Sequence, residues 1–328
     1  MIIPDKLQLG DEVRVIAPAR SMALISDEAK IIANKRLSDL GFKVTFGKHI
    51  EEMDDFASSS IESRIKDLHD AFADKNVKGI LTVIGGYNSN QLLNSIDWDL
   101  IKDNPKIFCG YSDITILQNA IYKKTGLVIY SGPHYSSFGQ KIYFDYTLDY
   151  FKKACMDKDD YEILPSSEWS DDIWYMDQEK RSLIKNDGLW VVNNGQAEGK
   201  ILGGNLGTLS LLFGTEFMPD LSNSILFLED DAYTKGADVV EFDRHFQSLV
   251  QQPNFNKIKG IVIGRFQVAS KMTNDLLIKI VKTKKELNDI PVVANMDFGH
   301  TSPIITFPIG GEAVMNAGEN SSISITKH

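Results

Sequence analysis

Gly79 to Ile84 reads Gly-Ile-Leu-Thr-Val-Ile, an almost wholly apolar run that stops at Gly85-Gly86. Nothing else in the chain limits its fold as much. A strand that is apolar on both faces must be covered on both sides, the signature of a parallel sheet with helices packed on each face. The flanking segments agree. Val13 to Ala17, Lys43 to Phe46, Ile107 to Cys109 and Leu127 to Tyr130 read as further strands. Between them lie helical patterns. Ser26 is a good N-cap for a helix that puts Ala29, Ala33, Leu37 and Leu40 on one face and is stopped by Gly41. Ser60 caps a second, with Ile61, Ile65, Leu68 and Phe72 at helical spacing, and a third runs from about Asp113 to Lys124. The expectation for this part is a doubly wound α/β domain.

The chain has 328 residues, which at roughly 100–200 residues per domain suggests two domains. Residues 1–155 form the first. Residues 156–194 break the pattern: the stretch is polar and acidic yet carries Trp169, Trp174 and Trp190. A plain linker does not expose indoles, so it is read as a packed or substrate-touching connecting loop. Residues 195–328 form a second, smaller α/β domain. Its expected strands are Lys200 to Leu202, Ser224 to Glu229, Ile258 to Ile263, Pro291 to Asn295, Ile304 to Phe307 and Ser322 to Thr326. Helices are expected near Leu206 to Phe213, Val239 to Gln251 and Asn274 to Leu287.

Composition removes several function classes. With 35 Lys plus Arg against 45 Asp plus Glu, the net charge is -10, and a protein of this sign repels nucleic-acid polymers. Two cysteines, Cys109 and Cys155, are too few for a disulfide framework. There is no H-E-x-x-H, C-x-x-C or EF-hand loop, and neither G-x-G-x-x-G nor a P-loop, so no metal and no cofactor is expected. No signal peptide is visible at the N-terminus, and the longest apolar runs fall far short of the ~20 residues that span a bilayer. A cytoplasmic protein without a membrane partner is the expectation.

In an open parallel sheet, ligands bind beyond the carboxyl ends of the strands. Three loops qualify: Pro18 to Ser21, Gly85 to Asn90 and Gly110 to Asp113. The last places Ser112 at a tight strand-to-helix turn, with the Asp113 amide free at a helix start, where it could hold an oxyanion. The turn resembles a nucleophile elbow, although Ile114 stands where G-x-S-x-G requires its second glycine. The plainer reading is a serine that caps a helix. Gly85-Gly86 is either an ordinary turn or a second oxyanion donor, since glycine allows close backbone approach. For a base, His134 and His300 both follow strands, and the turn-rich surroundings of His300 favour it. Three carboxylates, Glu229, Asp230 and Asp231, end an apolar strand, and pattern does not choose among them.

Together Gly85-Gly86-Tyr87-Asn88, Gly110-Tyr111-Ser112-Asp113-Ile114-Thr115, Gly203-Gly204-Asn205-Leu206, Phe227-Leu228-Glu229-Asp230 and Phe298-Gly299-His300-Thr301-Ser302-Pro303 resemble the serine peptidase family of LD-carboxypeptidases and microcin-immunity proteins. The segments keep the family's order and spread over the whole chain. The resemblance implies a Ser–His–Glu triad of Ser112, His300 and Glu229, with Ser112 from the first domain and the other two from the second. It implies an oxyanion hole from the amides of Gly86 and Asp113, and a homodimer. Asn88 and Asn205, inside the matching segments, are expected to contact substrate. The family's two activities are removal of terminal D-alanine from murein tetrapeptides and cleavage between an aminoacyl group and a modified nucleotide. Ser167 to Trp174 is similar to the tryptophan-bearing loop of the microcin-immunity branch, which makes an aminoacyl-nucleotide the first expectation for the substrate. An indole there, Trp169 or Trp174, can stack a nucleobase for ~1–3 kcal/mol or can simply anchor the loop. Two rivals remain: a small-molecule binding protein that clamps a ligand between two α/β domains, and a Rossmann-type nucleotide enzyme.

Overall fold

The computed structural model describes residues 1–233 and 236–328. Its strands are β1 (Glu12–Ile16), β2 (Lys43–Phe46), β3 (Val77–Thr82), β4 (Ile107–Gly110), β5 (Ile129–Ser131), β6 (Tyr161–Glu162), β7 (Glu168–Trp169), β8 (Ile184–Lys185), β9 (Trp190–Asn193), β10 (Gly195–Asn205), β11 (Ser224–Glu229), β12 (Gly260–Gly264), β13 (Val292–Met296), β14 (Phe307–Ile309), β15 (Glu312–Ala317) and β16 (Ser322–Lys327). The α-helices are α1 (Asp27–Asp39), α2 (Ile61–Ala73), α3 (Trp98–Asp103), α4 (Thr115–Thr125), α5 (Asp145–Cys155), α6 (Leu206–Leu209), α7 (Asp238–Val250) and α8 (Asn274–Lys282).

The first sheet runs β14-β5-β4-β3-β1-β2, with β1 to β5 all parallel. The strand order reverses beside β1, so the loops after β1, β3 and β4 converge on one rim, where a doubly wound sheet binds its ligands. The core follows from the sequence pattern: Ile80, Leu81, Phe108 and Ile129 are fully or almost fully buried within the sheet, and Leu37, Leu68 and Phe72 cover it from α1 and α2. Ser26 and Ser60 cap α1 and α2 through their side chains, and Gly41 turns the chain out of α1 with φ +84.

The second sheet runs β6-β16-β15-β10-β11-β12-β13-β9 around a parallel centre of β10 to β13. It has eight strands against six in the first sheet. Two expectations need correction. The segment 156–194 is not a loop throughout. It forms β6 and β9, which edge the second sheet, and the small β7–β8 hairpin. The strand expected at Ile304 to Phe307 is displaced to β14 and pairs antiparallel with β5, so the C-terminal half lends a strand to the N-terminal sheet.

The two sheets meet at close backbone contacts. Asn119 of α4 donates to the Gly203 carbonyl (2.7 Å), and the Asn205 amide donates to Thr115 Oγ1 (3.0 Å). A Cβ on Gly204 would lie 2.5 Å from Thr115 Oγ1, and Gly204 holds φ +121. The Gly203-Gly204-Asn205 motif therefore lets β10 press against the helix that begins three residues after Ser112.

Candidate active site

Ser112 sits at the end of β4 with φ +61, a left-handed conformation that costs a non-glycine residue about 1–3 kcal/mol. Its neighbours hold it there. A Cβ on Gly85 would lie 2.8 Å from Ser112 Cβ and 2.9 Å from its Oγ, so only glycine fits beside the hydroxyl. Asp113, buried at 2% exposure, turns its carboxylate toward the glycine loop and accepts the amides of Asn88 (3.1 Å) and Ser89 (3.0 Å). Ser89 Oγ returns a bond to the Asp113 carbonyl (2.8 Å). Burial raises the pKa of this carboxyl, and the two amides partly offset the rise.

The second domain supplies the partners. His300 Nε2 lies 3.0 Å from Ser112 Oγ, and its Nδ1 lies 2.8 Å from Glu229 Oε2. Glu229 ends β11, opposite Asn205 in register. Glycines make its room: a Cβ on Gly264 or on Gly299 would lie 2.9 Å from Glu229 Cβ. Burial lowers the pKa of His300, but the charge of Glu229 and its hydrogen bond outweigh that and raise it to about 9. Asp230 rises to about 8, through burial and then the neighbouring charge of Glu229. Hydroxyl, imidazole and buried carboxylate in this order can withdraw the serine proton and stabilise the imidazolium that forms.

The His300 loop is pinned from several sides. Asp297 pairs with Arg265, and both are almost fully buried. Asp297 also accepts from the Ser166 amide (2.7 Å), Ser166 Oγ (2.9 Å) and Tyr146 OH (3.2 Å), which ties the second domain, the tryptophan segment and α5 to one carboxylate. Reciprocal backbone bonds of 2.7 Å between Ser170 and Ser302 fasten the tryptophan segment to the same loop.

Cavities open on either side of Ser112. One, of about 200 Å³, is lined by Asn205, Asp230, Asp231, Tyr233 and His245 along with Ser112 and Gly86. The other, of about 260 Å³, is lined by Arg20, Tyr111, His134 and Trp174 along with Ser112 and His300. It adjoins a third space of about 540 Å³ between Trp174, Tyr175, Leu24 and Ile25, with which it shares Arg20 and Ile84.

Residues 13–132 match the family model of the LD-carboxypeptidase N-terminal domain, and residues 198–315 match that of the LD-carboxypeptidase C-terminal domain. The chain belongs to the LD-carboxypeptidase family. YocD of Bacillus subtilis (strain 168) is 54% identical over 324 residues, covering 98% of this chain and 99% of that protein. The crystal structure of an MccF-like protein from Bacillus anthracis str. Ames is 53% identical with a TM-score of 0.99, covering all of both chains. A structure of MccF in complex with glutamyl sulfamoyl guanosine is 30% identical with a TM-score of 0.88, covering 99% of this chain and 98% of that one.

Within this LD-carboxypeptidase framework the expected site residues separate. Ser112, His300 and Glu229 come together, Gly86 shares the acidic cavity with Ser112, and Asp113 follows Ser112 in the chain. Asn205 lines the acidic cavity, and its Oδ1 caps α6 through the Thr208 amide (2.8 Å). Trp174 faces the Ser112 cavity, whereas Trp169 lies against the Arg265 guanidinium, 5.1 Å from ring centroid to cation. Asn88 lines none of these three cavities. Its Oδ1 and carbonyl accept from Arg64 (3.1 Å each), so it braces the glycine loop. His134, the other candidate base, bonds Thr82 through Nδ1 (2.7 Å) and does not bond Ser112; burial, then the nearby positive charges of His300 and Arg20, lowers its pKa to about 3. Sequence reasoning missed Gly85, Gly264 and Gly299 as spacers and Asp297 as an anchor. The glycines were visible at strand ends, but the side chain each accommodates comes from a distant segment. Among the described residues no group of three or more His, Cys, Asp or Glu could hold a metal, and no helix is long and apolar enough to cross a membrane.

Proposed function

We propose that this LD-carboxypeptidase family member is a serine amidase that cleaves an aminoacyl-nucleotide-type substrate, with Ser112 as nucleophile, His300 as general base and acid, and Glu229 as orienter. The observation that carries the reading is the continuous contact Glu229–His300–Ser112, built from both domains on a strained turn. His300 takes the Ser112 proton as Oγ attacks the scissile carbonyl. The amides of Gly86 and Asp113 hold the oxyanion. The tetrahedral intermediate then collapses, His300 protonates the leaving group, and water resolves the acyl-enzyme by the reverse path.

The nucleotide is favoured by the space beside Trp174. A cavity of about 540 Å³ adjoining the Ser112 cleft falls in the usual range for drug-sized ligands and is far more than a departing alanine fills. A relative of this fold holds glutamyl sulfamoyl guanosine. The second reading is a murein LD-carboxypeptidase that removes terminal D-alanine, favoured by the family models that span both domains. The test is turnover by the purified protein of a glutamyl or aspartyl sulfamoyl adenosine and of a murein tetrapeptide, followed by mass spectrometry. Preferred cleavage of the nucleotide supports the first reading. Preferred release of D-alanine replaces it with the second, and binding without hydrolysis of either replaces both with a ligand-binding protein.

A further inference from the structure

The serine cleft holds two nitrogen groups that the acyl-transfer chemistry leaves unused. Arg20 follows β1 and lines both the Ser112 cavity and the larger space beside Trp174. Its Nε donates to the Gly85 carbonyl (3.2 Å), and its Cγ lies 3.1 Å from where a Cβ on Gly86 would stand. The side chain thus starts against the glycine loop, and neither Nη nitrogen has a hydrogen bond or ion pair among the described residues. Among the described residues Arg20 is the one lysine or arginine that lines this cavity. Of the carboxylates in the same wall, Asp172 is paired with Arg181 and Asp171 accepts the Val268 amide (2.6 Å), and among the described residues neither forms an ion pair with Arg20.

His134 follows β5 and lines the same cavity at 2% exposure. Nδ1 is taken by Thr82, the ring lies tilted against Tyr111 with centroids 4.4 Å apart, and Nε2 has no partner among the described residues. A buried polar nitrogen left unpaired is costly, and a ligand atom can recover that cost. At neutral pH this imidazole is uncharged, because burial and the adjacent positive charges lower its pKa to about 3.

We propose that Arg20 and His134 form a receptor for an anionic group carried by the leaving half of the substrate, within a few bonds of the scissile nitrogen. Arg20 supplies the charge and His134 a hydrogen bond from Nε2, in the tautomer whose Nδ1 accepts from the Thr82 hydroxyl. Two sources present the same chemistry there: the sulfamoyl or phosphoryl link of an aminoacyl-nucleotide, and the free carboxylate of a C-terminal amino acid. The inference rests on the serine amidase reading and adds what that reading lacks, the group that recognises the far side of the cleaved bond.

The experiment compares each charged substrate with a neutral partner: aspartyl sulfamoyl adenosine against the aspartyl amide of 5′-amino-5′-deoxyadenosine, and a murein tetrapeptide against its C-terminal carboxamide. The unmutated protein should favour the charged member by ~10²-fold in kcat/KM, on the scale of charge-assisted hydrogen bonds. In Arg20→Gln that ratio should fall at least tenfold, chiefly through KM, and in His134→Gln severalfold. The pair that responds identifies the source of the anion. Should the buried His134 variant fail to fold, Arg20→Gln decides alone. A ratio that stays within threefold of the parent in Arg20→Gln overturns the receptor, as does a parent that cleaves charged and neutral members equally. Failure of the parent to cleave any of the four refutes the amidase reading instead.

Discussion

Gly85→Ala isolates the positioning of the serine from its chemistry. The new methyl would stand 2.8 Å from Ser112 Cβ and 2.9 Å from Oγ. Favourable carbon contacts lie near 3.5–4.0 Å, so the methyl is about 0.7–1.2 Å too close to Ser112 Cβ. Gly85 cannot easily retreat, because its carbonyl accepts from both the amide (3.4 Å) and Nε (3.2 Å) of Arg20. The displacement therefore falls on Ser112, whose Oγ is 3.0 Å from His300 Nε2. A shift of ~1 Å at a reacting group costs on the order of 10²-fold in rate, and overpacking costs about 1–3 kcal/mol in stability. Steady-state kinetics should show kcat reduced ~10²-fold with KM within a few-fold, and urea unfolding should show a folded but weakened protein. Gly318→Ala, where a Cβ meets nothing within 4 Å, is the control and should match the parent in both assays. A Gly85→Ala protein within threefold of parental kcat would refute the claim that this glycine sets the serine's position.

Other consequences follow from the same geometry. His300 acts as a base only when neutral, and its pKa is raised to about 9, so kcat/KM should climb with pH through a limb above the ordinary histidine range. Glu229→Gln removes the charge that raises it and leaves the burial that lowers it, so the limb should move to lower pH; an unmoved limb contradicts the assignment. Asp297→Ala leaves the Arg265 guanidinium buried without its carboxylate and should cost roughly 3–5 kcal/mol in urea unfolding, with a loss under 1 kcal/mol as the contrary result. Trp174→Ala should lower kcat/KM for the nucleotide substrate at least tenfold, on the ~1–3 kcal/mol scale of base stacking. Trp169→Ala should mainly lower stability, since its ring lies on Arg265, and the reverse pattern would exchange the two roles.

The parts of the fold readable in sequence are those set by local pattern. Ser26 and Ser60 cap their helices as expected because an N-cap is a contact within three residues. The apolar run before Gly85 is a central strand because its composition leaves it no exposed face. Partnerships across long separations were not readable. Phe307 to Ile309 pairs with β5 of the other sheet, and Trp190 to Asn193 closes the edge of the second sheet beside β13, yet nothing within either segment names its partner. The same limit separates Trp169 from Trp174, five residues apart in one polar segment, because only their tertiary neighbours differ. Asn88 looked like a substrate contact from its motif, but Arg64, a buried charge on α2, claims it. Burial of an arginine on an otherwise amphipathic helix leaves no periodic trace.

The most direct measurement is hydrolysis by Ser112→Ala of whichever substrate the parent cleaves, with folding checked by urea unfolding. The account predicts a stable protein, since relief of one hydroxyl leaves the surrounding packing intact, and a fall in kcat on the order of 10⁴–10⁶-fold, as removal of a triad nucleophile produces. Turnover within tenfold of the parent would show that Ser112 is not the nucleophile, whatever its distance from His300.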